Sequence, residues 1–221
     1  AKMGFKENLS VGEIIDQYLL ARQKINKPIT NIVFMGMGEP FLNYKNVIKA
    51  AKLLNDPYGI NMGSKRITIS TAGVISKIEE FTKSKEKFKL AISLNGTTNE
   101  QRSSIMPINI KNSLDELLNV ARKYTETVNR WLTFEYVLLK EINDSVEDAK
   151  RLLSMLAGMK KCKLNIIPYN ETDGEFRRPD KDQIENFVIA LRPAKFPITV
   201  RWSKGTDIDA GCGQLATRNQ V

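Results

Sequence analysis

Two short stretches of the sequence carry residue types that could bind a ligand or perform chemistry. The first is Gly-Met-Gly-Glu-Pro at 36–40, where two glycines allow close approach to the backbone and Pro40 biases Glu39 toward an extended conformation. A carboxylate and free carbonyls there could accept hydrogen bonds from an ammonium group. The second places Cys212 between two glycines, which predicts a tightly turned loop with a thiol that is nucleophilic once deprotonated. An ordinary turn and a surface cysteine are the alternatives.

The composition excludes several classes of active site. The chain contains no histidine, which removes the commonest general base, the histidine-activated nucleophiles and most zinc sites. Its two cysteines, Cys162 and Cys212, form no CxxC motif and no disulfide framework. Cys162 directly precedes a strand-like segment and is predicted to be a small buried residue. Any chemistry must therefore use carboxylates, thiols, lysines or a cofactor.

The charge balance is basic. Lys and Arg number 34 against 25 Asp and Glu, a net charge of +9, which suits a polyanionic partner but also fits a lysine-rich surface. We expect a soluble, cytoplasmic protein that does not contact a membrane, because no signal peptide or spanning apolar run occurs. The side chains that could meet RNA phosphates, each otherwise ordinary surface charge, are Lys65, Arg66, Arg102, Arg177, Arg178 and Arg201.

Short apolar segments alternate with amphipathic ones along the chain. Strands are predicted at 31–35, 66–70, 89–94, 132–139, 163–168 and 198–202. Helices are predicted at 11–24, 46–55, 74–82, 113–124, 145–159 and 181–191. This alternation is typical of βα units with right-handed crossovers and a parallel sheet, open or curled into a barrel. Without repeats or an obvious linker, residues 1–221 are predicted to form one domain.

Small and polar residues follow five of the predicted strands. They occur at 36–40, 70–73, 93–96, 140–144 and 169–170. Because the carboxyl ends of parallel strands share one edge, where ligands bind in βα folds, these segments are predicted to ring one pocket. Glu135, on an otherwise apolar strand, needs a partner or faces that pocket, and we retain it as a candidate for contacting the substrate or lining the pocket.

In chain order, these motifs resemble the RlmN family of radical-SAM enzymes. The matching segments are GMGEP (36–40), RITISTAG (66–73), LAISLNGTTNEQRSSIMPIN (90–109), TFEYVLLKEIND (133–144), NIIPYN (165–170) and ITVRWSKGTDIDAGCGQL (198–215). The resemblance implies an α/β fold, a partial (β/α)6-type radical-SAM barrel with parallel strands. It assigns contacts with S-adenosylmethionine (SAM) to Gly38, Glu39, Ser70, Ser93, Leu94, Asn95 and Asn170. Asn95 stands where many members have histidine, but an amide can still donate and accept hydrogen bonds.

The same resemblance implies the activity. Family members methylate adenine C2 in 23S rRNA and tRNA, using a methyl-carrying cysteine that Cys212 matches. They need SAM, a [4Fe–4S] cluster held by a CxxxCxxC loop, and a reductant protein. This chain has no such loop, and we expect the cluster ligands upstream of it and the chain alone to be inactive. The alternatives are a resistance-type enzyme that methylates adenine C8, a non-catalytic RNA- or SAM-binding barrel, and an unrelated βα enzyme.

Overall fold

A single parallel sheet organises the protein. The structure is a computed structural model that describes residues 5–35, 38–128, 130–171 and 175–202. Its six strands are all parallel and lie side by side in chain order. They are β1 (Ile32–Phe34), β2 (Ile67–Thr71), β3 (Lys89–Ser93), β4 (Leu132–Leu138), β5 (Cys162–Pro168) and β6 (Ile198–Val200). The predicted α/β class and parallel partial barrel are confirmed.

Seven α-helices occur in the described residues. They are α1 (Val11–Lys24), α2 (Tyr44–Asn55), α3 (Ile75–Lys83), α4 (Asn99–Ile105), α5 (Leu114–Thr127), α6 (Val146–Leu156) and α7 (Lys181–Ala190). Serine capping boxes start three of them, at Ser10, Ser113 and Ser145, because each serine hydroxyl and the acidic side chain three residues later bond the exposed amides of the first turn. Six of these helices were predicted, and each predicted end lies within three residues of the observed one. Helix α4 was not predicted.

The two faces of the sheet differ in chemistry because side chains alternate along each strand. One face packs against the helices in one hydrophobic core, contributing residues such as Ile69, Ile92 and Phe134. The opposite face is the inside of the partial barrel. It carries a polar row in register across four strands: Ser93, Glu135, Asn165 and Thr199. The sheet therefore stabilises the fold on one side and presents hydrogen-bonding groups on the other.

The described residues share this one core. That residues 1–221 form a single domain stays a prediction. Within the described ranges, none of the helices has the length and apolar character required to cross a bilayer.

The contact between α7 and β4 gives a stability test. Phe187 is fully buried and its ring stacks on Tyr136 at a centroid distance of 5.8 Å. We expect Phe187→Ala to lower the free energy of unfolding by about 3–5 kcal/mol, because it leaves a cavity and removes buried apolar area. Urea denaturation measures this loss. On the same helix, Ile189 is 50% exposed, and Ile189→Ala should change stability by less than about 0.5 kcal/mol. Equal losses in both variants would contradict the packing described.

Candidate functional site

Glu39 joins the carboxyl ends of β1 and β2. One carboxylate oxygen accepts a hydrogen bond from the Phe41 amide at 2.9 Å, and the other accepts from the Ala72 amide at 2.6 Å. Burial raises the pKa of the Glu39 carboxyl, although these amides pull it down. Each carboxylate oxygen has a second lone pair, so the fixed group can still accept a hydrogen bond from a cationic ligand.

Gly38 leaves space beside this carboxylate. Its φ of +132° is one that residues with a side chain rarely adopt, and a Cβ built there would meet no atom within 4 Å. Gly36 and Met37, the other residues of the motif, lie outside the described residues. The backbone at Gly38 is therefore open to a ligand that approaches Glu39.

Ser70 lies next along the same edge, on β2. It is buried, and its hydroxyl donates a hydrogen bond to Glu135 Oε2 on β4 at 3.1 Å. The structure thus places Glu135 on the concave face, where a predicted binding residue is its hydrogen-bond partner.

The end of β3 brings two of its three predicted residues to this edge. Ser93 is half-buried in the polar row, whereas the Leu94 side chain is fully buried in the core. The Leu94 amide donates to the Glu135 carbonyl. The backbone of Asn95 adopts a left-handed conformation with φ at +52°. Its side-chain oxygen accepts a hydrogen bond from the Val137 amide at 2.9 Å. Asn95 therefore also joins β3 to β4, and asparagine is one of the residue types that tolerate a positive φ.

Asn170 follows β5 and is buried. Its side-chain oxygen accepts a hydrogen bond from Arg178 Nη2 at 3.1 Å, and Arg178 Nε donates to the Tyr169 carbonyl. Arg178 thus shapes the loop that carries Asn170, a contact that the sequence pattern did not indicate.

Arg102 was expected on the surface near RNA, and this expectation was wrong. The residue is fully buried on α4, where its guanidinium donates to the carbonyls of Ala72, Ser93 and Leu94. A further bond goes to Asn109 Oδ1 at 2.9 Å. Burial lowers the Arg102 pKa to about 10. This one side chain therefore fixes the ends of β2 and β3, where the predicted binding residues lie.

A close approach of the backbone makes this arrangement possible. A Cβ at Gly96 would lie 2.7 Å from Arg102 Cβ and 2.8 Å from its Cα, a distance that real Cβ atoms do not reach. Gly96 thus lets the loop after β3 pack directly on α4.

Comparison with known proteins now decides the family. The model of the radical SAM superfamily matches residues 2–153. The chain belongs to this superfamily. A probable dual-specificity RNA methyltransferase RlmN from Pseudothermotoga lettingae is 44% identical over 98% of the chain and 63% of its own length. One from Leptospira interrogans is 44% identical over 99% of the chain and 62% of its own length. The predicted resemblance is confirmed, and the chain spans under two thirds of these relatives.

Solved structures agree with the superfamily fold. The crystal structure of a radical SAM methyltransferase from Sphaerobacter thermophilus superposes with a TM-score of 0.92 at 39% identity, over 96% of this chain and 63% of that one. A domain of pyruvate-formate lyase-activating enzyme from Bacteroides vulgatus superposes at 0.60 with 15% identity, over 78% of this chain and 99% of that one, which shows the shared fold alone.

The superfamily implies SAM and a [4Fe–4S] cluster. The residues of this chain suit SAM but not the cluster. Acceptors at Glu39 and Ser70 and the open backbone at Gly38 suit a ligand with an ammonium group and hydroxyls. The cluster needs three thiolates, and the chain has two cysteines in all. Within the described ranges, no group of three Asp, Glu, Cys or His could hold a metal. The residues of this chain do not form the cluster site.

One of the two cysteines lies in the described part of the chain. Cys162 is buried on β5, as predicted, and burial raises its pKa to about 11, which makes its thiolate scarce at neutral pH. Cys212 lies outside the described residues.

The role of Arg102 leads to a stability prediction. We expect Arg102→Met to lower the free energy of unfolding by about 3–5 kcal/mol, because buried carbonyls lose a charged donor. Arg122 is a matched control, since it is half-buried and donates to the Met155 carbonyl at 2.9 Å. Arg122→Met should cost about 1 kcal/mol. Urea denaturation of both variants checks the difference, and similar losses would contradict the role given to Arg102.

Glu135 gives a pH prediction. Burial raises the pKa of its carboxyl above the ordinary value of 4.5, although Ser70, Arg201 and Lys163 pull it down. The folded state therefore holds this proton more tightly than the unfolded state, and stability falls as pH rises from about 4.5 through the folded-state pKa. We expect Glu135→Gln to remove this loss, so that its melting temperature relative to the parent is higher at pH 8 than at pH 4. Thermal unfolding across this range measures it, and a constant difference would refute the assignment.

Proposed function

We propose that this chain is the catalytic core of an RNA methyltransferase that methylates adenine C2 in 23S rRNA and in tRNA. The observation that carries the proposal is the 44% identity, over 98% of the chain, to a relative named as a dual-specificity RNA methyltransferase. The methyl donor is SAM, which the superfamily implies. The edge formed by β1, β2 and β3 supplies groups that suit it.

Each residue at this edge has a chemical role in the proposal. Glu39 accepts a hydrogen bond from the ammonium group of SAM, because its carboxylate is fixed by the two amides and keeps free lone pairs. Gly38 lets the ligand approach the backbone. Ser70 and Ser93 contact SAM from β2 and β3, and Asn170 contacts it from the loop after β5.

Leu94 and Asn95 enter the proposal differently. Leu94 was predicted to contact SAM, but its side chain belongs to the core. In this proposal Leu94 instead holds its two neighbours in place through the backbone. Asn95 has its amide oxygen bonded to Val137, and its amide nitrogen donates to the sulfur of Met106 at 3.4 Å. Its contact with SAM would therefore replace or share the bond to Met106.

Cys212 is the proposed methyl carrier. A thiolate accepts a methyl group from SAM by nucleophilic displacement, which releases S-adenosylhomocysteine and leaves S-methylcysteine. Cys162 is unsuited to this step because it is buried and has a raised pKa. Adenine C2 is an electron-poor ring carbon, so the carrier alone does not suffice and the chemistry that the superfamily cofactor supplies is needed.

The partners follow from the same proposal. The net charge of +9 favours association with the phosphates of RNA. A reductant protein would serve the cluster, and the protein would act in the cytoplasm, where ribosomal and transfer RNA are found.

The decisive experiment is product analysis. The protein expressed from its own gene is purified without oxygen, its cluster is reconstituted, and it is incubated with methyl-labelled SAM, a reductant and unmodified 23S rRNA or tRNA. We expect labelled 2-methyladenosine after digestion and mass spectrometry. Labelled 8-methyladenosine would indicate the resistance-type reaction instead. No methylation by protein that retains its cluster and binds SAM would support a non-catalytic RNA- or SAM-binding role.

The two cysteines provide a matched pair of variants for this assay. Cys212→Ala should abolish product formation, because the methyl carrier is lost. Cys162→Ala should retain it, since the buried thiol has no chemical role. Label retained on the protein of the Cys162→Ala variant and absent from the Cys212→Ala variant would locate the intermediate. Equal activity of both would refute the proposed carrier.

A further inference from the structure

We propose that Glu135 is a positioning residue for SAM. It accepts a hydrogen bond from the Ser70 hydroxyl, so that the Ser70 oxygen is left as a hydrogen-bond acceptor toward the ligand. The inference rests on the proposed function, since it assumes that Ser70 contacts SAM. Glu135 is 6% exposed, and its Oε2 lies 3.1 Å from the Ser70 hydroxyl.

The bond between these residues crosses an entire strand. Ser70 is on β2 and Glu135 on β4, with β3 between them. Two strand spacings amount to about 10 Å, so the side chains must reach toward each other over the concave face of β3. Ala91 of β3 is in register with Ser70 and is buried. Its methyl group leaves room for the bond, which a larger side chain would obstruct.

Glu135 accepts the hydrogen bond from Ser70, and this bond favours its ionised form. Burial disfavours that form, whereas Arg201 after β6 and Lys163 on β5 favour it electrostatically. An ionised carboxylate only accepts hydrogen bonds, whereas a serine hydroxyl has a single hydrogen to donate. Once that hydrogen points to Glu135, the Ser70 oxygen presents lone pairs in its other directions.

The ligand group that faces Ser70 must therefore be a donor. Glu39, at the end of β1, is likewise an acceptor toward the ligand. The edge thus selects a molecule with hydrogen-bond donors at this position, and in SAM the donors are the ammonium group, the ribose hydroxyls and the adenine amine. A ligand with an acceptor at this position would face lone pairs and would bind more weakly.

A double-mutant cycle tests the coupling. The dissociation constant of SAM is measured on the cluster-reconstituted protein without reductant, so that SAM is not consumed. We expect Ser70→Ala and Glu135→Ala each to weaken binding about tenfold, the effect of one hydrogen bond. The double variant should also be weakened only about tenfold, because both changes remove the same contact. Multiplied effects of about a hundredfold, or normal binding by Glu135→Ala, would overturn the proposal.

Two further variants separate positioning from a general structural effect. Glu135→Gln keeps an amide oxygen that accepts the serine hydrogen, so its affinity should stay within about threefold of the parent. Ala91→Val keeps both partners but obstructs the bond, and should weaken binding as Ser70→Ala does. Thr199→Val is the control, since it breaks the bond from Thr199 to Asn165 on the same face without touching Ser70. Loss of affinity in this control equal to that in Ala91→Val would contradict the inference.

The outcomes distinguish this inference from the proposed function. Coupled losses of SAM affinity with no methylated RNA would uphold the role of Glu135 and reject the methyltransferase assignment. Methylated RNA with uncoupled losses would do the reverse. Failure of the parent protein to bind SAM would reject both.

Discussion

One buried guanidinium holds together the part of the sheet on which the site depends. Arg102 donates to the carbonyls of Ala72, Ser93 and Leu94, at the ends of β2 and β3. Among the described residues, no carboxylate is hydrogen-bonded to this side chain and Asn109 is its only side-chain acceptor. The cost of burying the charge is offset by oriented dipoles. Two of these carbonyls belong to Ser93 and Leu94. The hydrogen bonds of Arg102 therefore support both the geometry of the site and the stability of the fold.

One face of the sheet stabilises the fold, and the other carries the predicted binding residues. Glu135 lies on the second face, where the burial of its carboxylate is unfavourable. The apolar face is packed against helices in the hydrophobic core. On the concave face Glu135 is nearly as deeply buried, and burial disfavours its charge even with Lys163 and Arg201 nearby. The protein thus keeps a destabilising group where it orients Ser70, which is a known pattern for sites that bind polar ligands.

The regular elements were predictable wherever an apolar run or an amphipathic period was clear. The six strands follow short apolar runs and six of the helices follow amphipathic periods. Their ends differed by only a few residues because helix and strand ends depend on local hydrogen bonds. Helix α4 escaped prediction because its polar sequence, NEQRSSI, buries an arginine instead of an apolar stripe. For the same reason Arg102 was mistaken for a surface charge. Composition assigns arginine to the surface, and only the three-dimensional arrangement of carbonyls explains its burial.

The candidate site was predicted less evenly. Motif resemblance located the edge that carries Glu39, Ser70 and Asn170, since glycine and small polar residues after strands are visible in the sequence. It did not reveal that Asn95 bridges to the backbone of β4 or that Glu135 reaches Ser70 across β3. Both contacts join residues more than 40 positions apart. A single sequence carries no signal of such pairings, because they depend on strand register and on the small size of Ala91.

The order of the strands has a consequence for how the protein is made. Each strand pairs with the one synthesised just before it, so every new βα unit meets a finished edge as it leaves the ribosome. Among the strands that the structure describes, none has to wait for a partner encoded far downstream, and the loops closed at each step are those of single crossovers. The bond between Ser70 and Glu135 is the exception, since it cannot form until β4 has docked on β3. Assembly of the ligand-binding edge therefore finishes later than the strands that carry most of it.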